Sequence, residues 1–386
     1  MKILVIGGYG NFGKRLVKSL LGYSDHEVVI AGRSLAKSSE MALSLFEEFG
    51  KLAESIELDA LSHGITDSII EQAPDVVVNA SGPYHFQFSQ NQDSYSNYQV
   101  AQGCLKAKCH YIDLADHREY VKNFAQLFNS QVQKLGLIFI TGASTVPSLT
   151  DAVIQQNIDK FSELTSINYG ISPGNKTERG KGTIASILSY TGKTFKTQKK
   201  GRPHNIYGWQ DLTSVDFGQP IGKRWMSNCD IPDLDLLPEK YPSLNSVTFK
   251  AGLEVGALHI GLWILSFFSR FNWVSNWSHY SKQLTYLSEW FSSFGSDCGG
   301  MFVELEGKDL SEASKKISWQ LVAEDGVGPN IPAIPAEILI NKLSQNKLLP
   351  GARVCMGMFT LREFFNIADR WNIYQKSCFV KGGIAK

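Results

Sequence analysis

In the first 145 residues the apolar positions fall into short unbroken runs, ILVI at 3–6, VVIA at 28–31, VVV at 76–78 and LIFI at 137–140, with mixed stretches between them. An unbroken run of this length suits a strand covered on both faces, because neither side of its pleat meets water. The mixed stretches carry a helical period instead. Phe12, Leu16 and Leu20 fall four apart around Lys14, Arg15 and Lys18, giving a single apolar stripe to lay on a sheet. Six strands are predicted, at KILVIG (2–7), EVVIAGRS (27–34), SIELDALS (55–62), APDVVVNASGPY (73–84), CHYIDLAD (109–116) and GLIFITGAS (136–144), with one of the intervening helices at about 95–107. Strands alternating with helices imply a parallel sheet wound by right-handed crossovers.

From about residue 164 the pattern changes. Strand-like pieces (LTSINYGIS, SVTFKAGLEV, GMFVELEGKD, KKISWQLVAED) are separated by long loops and one aromatic helical region, which predicts an α+β domain on a mixed or antiparallel sheet. The basic, Gly/Pro-broken stretch KTFKTQKKGRPH at 193–204 reads as a solvated loop. After GPNIPAIPAE, helices at about 336–345 and 360–371 are expected to pack back on the first domain. The fold class is thus α/β, a Rossmann-type parallel sheet with an inserted α+β second domain. Its predicted parts are 1–155 (dinucleotide-binding), 156–335 (substrate) and 336–386 (C-terminal return).

The stretch GYGNFGKR after the first strand parses as two different phosphate loops. A P-loop needs Ser or Thr after Lys14 to hold Mg²⁺, and Arg15 stands there. A dinucleotide fingerprint is satisfied by Gly8-x-Gly10-x-x-Gly13 and by Gly7-x-x-Gly10-x-x-Gly13, between a strand and a helix whose amides face a pyrophosphate. The second strand's tip then selects the cofactor. An NAD site carries Asp or Glu there, whereas this tip offers Gly32, Arg33 and Ser34, with Lys37 one turn on; a guanidinium suits the 2′-phosphate of NADP. Asp59 ends the third strand near the adenine, and the small residues Ala80, Ser81 and Gly82 let the backbone pass close to the cofactor.

Composition adds exclusions. Lys+Arg (38) nearly balance Asp+Glu (37), so the net charge of +1 gives no support to a nucleic-acid partner. Six cysteines without a CxxC pair read as buried small hydrophobes in a cytoplasmic protein, and no His/Cys cluster has metal-ligand spacing. The apolar run at 3–6 is too short for a signal peptide, and LHIGLWILSFFSRF at 258–271 is too short and too interrupted to span a bilayer. Residues 256–295 hold eleven aromatic side chains, leaving three readings open: helical core, the lining of an apolar pocket, or a surface against a membrane.

Ligands of an open α/β sheet bind beyond the carboxyl ends of its strands, which nominates Tyr84, Asp113, Asp116, His117, Ser144 and Thr145. His117 suits proton transfer near neutral pH; the alternative is a surface histidine pairing Asp116 or Glu119. Asp113 would orient a substrate amine or the nicotinamide ribose, and Asp116 would cap the helix after it. Ser144 and Thr145 are candidates for the carboxamide, or a turn ahead of Pro147. No tyrosine begins a YxxxK, and there is no HExxH, which removes the short-chain dehydrogenase mechanism and the zinc-hydrolase signature.

The order GGYGNFGKRLV, VVIAGRS, LDA, VVVNASGPY, YIDLAD and GASTVPSLTDAV resembles the saccharopine dehydrogenase-like family of NADP-binding oxidoreductases over roughly the first 155 residues, with GVGPNIPAIPAE and LPGARVCMG also family-like. The resemblance implies a nucleotide domain with an inserted substrate domain, and cofactor contacts at Gly7, Gly10, Asn11, Phe12, Gly13, Arg33, Ser34, Asp59, Ala80, Gly82 and Tyr84. It leaves the substrate open, because Leu114-Ala115-Asp116-His117 matches neither the saccharopine-forming branch nor the enoyl reductase branch. The expectation is an NADP-dependent oxidoreductase acting on a small amine-bearing or apolar substrate, with His117, Asp113 and Tyr84 as catalytic candidates, no metal, and a homodimer as one assembly. The alternative is a non-catalytic NADP-binding sensor or scaffold whose aromatic segment docks a partner or lipid surface.

Overall fold

The computed structural model describes residues 1–82, 84 and 98–378. The chain divides into two compact units, 1–149 with 329–359, and 150–328 with 360–386. In the first unit β1 (Lys2–Ile6), α1 (Gly13–Tyr23), β2 (Glu27–Gly32), α2 (Leu35–Phe49) and β3 (Glu54–Glu57) alternate. Then come α3 (Ile65–Gln72), β4 (Val76–Asn79), α4 (Gln99–Ala107), β5 (His110–Asp113), α5 (Arg118–Lys134) and β6 (Ile138–Thr141). Part of the helix predicted at 95–107 lies outside the described residues.

In the second unit α6 (Thr150–Asn157), β7 (Glu163–Ser172) and α7 (Lys181–Tyr190) lead to β8 (Thr194–Lys199), β9 (Arg202–Tyr207), β10 (Thr213–Asp216) and β11 (Lys223–Asn228). After α8 (Asp233–Lys240) and β12 (Ser246–Ala251) come α9 (Gly256–Arg270), α10 (Ser281–Glu289), β13 (Gly299–Lys308) and β14 (Ser314–Ala323). The chain returns to the first unit for α11 (Ile334–Ser344) and β15 (Gly351–Val354), then ends in the second with α12 (Leu361–Ala368) and β16 (Ile373–Cys378).

The first sheet is parallel throughout, in the order β15-β6-β5-β4-β1-β2-β3. Its central strands are dry on both faces, as their unbroken apolar runs require: Ile3–Val5, Val28–Ala31 and Val76–Val78 have no exposed surface. The strand order reverses between β1 and β4, and at such a switch point a crevice opens beyond the carboxyl ends. β15 is a seventh strand beyond the six predicted. The segment carrying it also buries Glu337, which accepts a 2.6 Å hydrogen bond from Ser19 and so anchors α1.

The second sheet is mixed, in the order β10-β11-β12-β7-β13-β14-β16, with β12 parallel and β13 antiparallel to β7. Two expectations are corrected here. Residues 193–204 belong largely to the β8–β9 hairpin: Phe195 and Thr197 point inward, and Lys200-Gly201 form a two-residue turn with both φ positive, at 51° and 73°. The segment from residue 360 to 378, expected on the first domain, belongs to the second unit, where β16 pairs antiparallel with β14.

Candidate functional site

Beyond the tip of β1 the glycine loop folds back on itself. The N–H groups of Gly7 and Gly8 both donate to the Ala31 carbonyl, at 2.8 and 3.0 Å, and Gly10 N–H donates to the Gly7 carbonyl at 2.8 Å. Gly7 has φ +78°, and a Cβ there would come within 2.9 Å of the Ala80 and Ser81 backbone. A Cβ on Gly13 would lie 2.2 Å from the Gly7 carbonyl oxygen. Side chains are therefore excluded by the loop's own path, which brings it against the tip of β4 and leaves the first turn of α1, free of acidic residues, as an anion cradle. The cradle fits a pyrophosphate. Arg15 strengthens it by donating to the Asn11 carbonyl and to Asn11 Oδ1 (2.7 Å), a pairing at a spacing of four that the fingerprint itself does not announce.

At the adjacent tip of β2, Arg33 and Lys37 are exposed and no carboxylate stands at 32–37. Ser34 caps α2, accepting from Lys37 N–H at 3.5 Å. The Tyr9 ring lies on Gly32, where a Cβ would meet it at 2.3 Å. Asp59 is exposed and accepts from Leu61 N–H. On the other side of β1, Asn79 Oδ1 accepts from Ser81 N–H (3.1 Å) and Ser81 Oγ (2.5 Å), which fixes the small-residue stretch beside Gly7. Phe12 is the N-cap residue of α1 without a capping side chain, and Gly82 is exposed. The first unit thus gathers the predicted phosphate, ribose and 2′-phosphate contacts around the β4-β1-β2 tips.

The proton-transfer candidates are placed less favourably. Tyr84 is buried, with its hydroxyl donating to the Asn79 carbonyl (2.6 Å) and accepting from Leu114 N–H (3.2 Å); burial and then Asp113 push its pKa well up. It clamps β4 to the segment after β5. Asp113 is also fully buried, its Oδ1 accepting from Ala115 N–H, Gly142 N–H and Thr141 Oγ1, each at 2.9 Å, which ties the tip of β5 to that of β6. The Tyr84 hydroxyl is fully engaged, and Asp113 Oδ2, which has no hydrogen-bond partner among the described residues, is buried. The expected cap at Asp116 is corrected: His117 is the N-cap residue of α5, its side chain makes no capping hydrogen bond, and Asp116 is exposed. His117 is half-buried at the carboxyl side of β5. Ser144 and Thr145 are buried in the turn before α6, and Ser144 N–H donates to Ser148 Oγ.

Burial raises the Asp113 pKa to about 6, against the lowering effect of its three donors. A raised folded-state value adds stability that is full below the ordinary carboxylate pKa and is lost as pH rises through about 6, so the ionised form costs the fold on the order of 3 kcal/mol at neutral pH. Asp113→Asn keeps Oδ1 as acceptor and removes the charge. The variant is expected to unfold no lower than the wild type at pH 7.5, and to lose part of the wild type's gain on acidification to about pH 5. Calorimetric melting across that range checks it, and a large loss of stability at neutral pH would show that the carboxylate's charge is needed.

In the second unit Ser227 Oγ lies 2.9 Å from His259 Nε2, which resembles a nucleophile and its base. His259 Nδ1, however, accepts from Leu253 N–H at 3.2 Å, so the neutral ring carries its proton on Nε2 and donates to the serine. Burial lowers its pKa to about 4 and holds it neutral. Among the described residues no His, Cys, Asp and Glu group has metal-site geometry. The first unit's cavity of about 540 Å³, lined by Asp75, Lys108 and His110 among others, opens at the amino ends of the strands, opposite the glycine loop. A second cavity of about 610 Å³, lined by Lys160, Trp319, Arg362 and Phe365 among others, belongs wholly to the second unit.

Residues 3–135 match the family model of the saccharopine dehydrogenase NADP binding domain. No curated protein matches the chain. Among solved structures, the apo saccharopine dehydrogenase (L-Glu forming) from Saccharomyces cerevisiae is 13% identical, with a TM-score of 0.67 over 98% of this chain and 100% of that one. A meso-dapdh mutant with DAP from Clostridium tetani is 14% identical over 94% of this chain and 95% of that one, with a TM-score of 0.43. L-sorbose reductase from Gluconobacter frateurii, complexed with NADPH, is 16% identical over 29% of this chain and 51% of that one, with a TM-score of 0.25. Residues 3–135 are therefore similar to a saccharopine dehydrogenase NADP binding domain, and the chain shares the α/β fold of the yeast structure.

Proposed function

We propose that the chain transfers a hydride between NADP(H) and a small amine-bearing or apolar substrate. The observation that carries this is the glycine cradle at the β1 tip standing beside an exposed Arg33 on a β2 tip free of carboxylates. The cradle amides hold the pyrophosphate, and Arg33 with Lys37 meets the 2′-phosphate. When bound, the nicotinamide supplies or accepts the hydride. The Ala80-Ser81-Gly82 backbone would hold its ribose, and Tyr84 and Asp113 act as positioning residues that fix the β4, β5 and β6 tips. His117 holds or takes up the substrate's proton at its imidazole. The amine-bearing class is supported by the yeast structure, an L-Glu forming saccharopine dehydrogenase.

The test is a panel of amino acids and N-substituted amino acids with NADP⁺, and of imines and enoyl compounds with NADPH, followed by nicotinamide absorbance. Once a substrate turns over, His117→Gln is expected to lower kcat by roughly 10²- to 10⁴-fold and to remove a pH-dependent step, with NADPH affinity unchanged. Tight NADPH binding without turnover anywhere in the panel would favour the second reading, an NADP-binding sensor that docks elsewhere through the exposed rings of α9 and α10.

A further inference from the structure

α9 is built inside out. Its only buried residues are His259 and Ser266, whereas Ile264, Phe268 and Phe271 form an exposed stripe at positions i, i+4 and i+7. The stripe continues past the helix: Asn272, at φ 61°, turns the chain so that Phe271 is 60% and Trp273 73% exposed. α10 buries no residue, and Tyr286, Trp290 (67% exposed) and Phe294 repeat the pattern at i, i+4 and i+8. These rings mainly touch one another, Phe268 and Trp273 at 5.4 Å and Tyr286 and Trp290 at 6.3 Å between centroids. The core reading of this segment is thereby corrected. With 150–250 Å² available per ring, the seven exposed aromatics, Tyr280 included, together show on the order of 800 Å² of ring surface to solvent.

We infer that this face lies on an anionic lipid surface. Trp and Tyr, with apolar bodies and polar tips, are the rings that settle at a bilayer's headgroup boundary. The charges favour such a surface: Lys282 is exposed beside the rings, Arg270 is exposed with its guanidinium on Gln210 and the Tyr207 ring, and Glu289 is the one carboxylate in residues 256–295. α9 has 15 residues, about 22 Å at helical rise, against about 30 Å of hydrocarbon, and no described helix is long and apolar enough to cross. The segment therefore lies in the plane of the interface, with Phe271 and Trp273 as the leading tip.

The experiment is flotation of the full chain with vesicles of phosphatidylcholine alone and with phosphatidylglycerol added, alongside W273S/W290S. The wild type is expected to float with the anionic vesicles, less with the neutral ones, and the variant's partition to fall at least tenfold. Unchanged NADPH binding by the variant shows that the chain still folds. No flotation of the wild type, or equal flotation of the variant, would overturn the inference. A concentration-dependent dimer lost in the variant, with no flotation, would also overturn it and assign the face to a second copy.

Discussion

Arg33→Asp is expected to lower NADPH affinity by on the order of 100-fold or more while leaving NADH affinity within a few-fold. A hydrogen bond to a charged group contributes about 1.5–3 kcal/mol, and every 1.4 kcal/mol is tenfold in affinity. The substitution removes the guanidinium's bonds and sets a carboxylate against the 2′-phosphate, so the two losses add. For NADH the same carboxylate becomes an acceptor for the ribose 2′-hydroxyl, the role an acid fills at the β2 tip of NAD sites. Arg33 is exposed, which keeps the change away from the core. Fluorescence titration with both nucleotides at fixed ionic strength is the measurement, and added salt should narrow the difference because the pair is solvent-screened. Equal loss of both cofactors would sink the assignment of Arg33 to the 2′-phosphate.

Arg33 was legible because the backbone around it is dictated locally. A buried parallel strand announces itself by an unbroken apolar run, and the residue that follows its tip can be counted off. β8 carries no such run: Lys196, Gln198 and Lys199 lie among its six positions, and only Phe195 and Thr197 turn inward, so its composition is that of a loop. β15 has the sequence GARV, and what makes it a strand is its parallel pairing with β6, more than two hundred residues earlier in the chain. A shorter separation, 28 and 29 residues, was enough to hide the role of Asp113. Two of its three donors come from Thr141 and Gly142, and without them a carboxylate at a strand tip reads as a catalytic group. Ser19 and Glu337, 318 positions apart, were beyond any local pattern. In 256–295 the number of rings was plain, but the side on which they lie depends on His259 and Ser266 taking the inward positions, an inversion of the usual amphipathic order.

Gly13→Ala is expected to weaken NADPH binding by at least 100-fold, although it adds a single methyl group. Gly13 does not have positive φ, so its need for glycine is a matter of close approach and not of backbone conformation. The new Cβ would sit 2.2 Å from the Gly7 oxygen, and the loop would have to retreat by roughly 1 Å or more to regain ordinary van der Waals contact. Gly7 cannot follow freely, since it is pressed against Ala80 and Ser81 and bonded to Ala31. The strain of such overpacking is about 1–3 kcal/mol, which the buried sheet tolerates, but the displaced turn no longer aims the α1 amides at the pyrophosphate. Gly64→Ala supplies the comparison: nothing lies within 4 Å of its Cβ, and NADPH binding should be unchanged. Melting temperature read beside the titrations separates loss of fold from loss of the site. A folded Gly13→Ala protein with wild-type NADPH affinity would mean that the dinucleotide does not rest on this turn, and the cradle would lose its function.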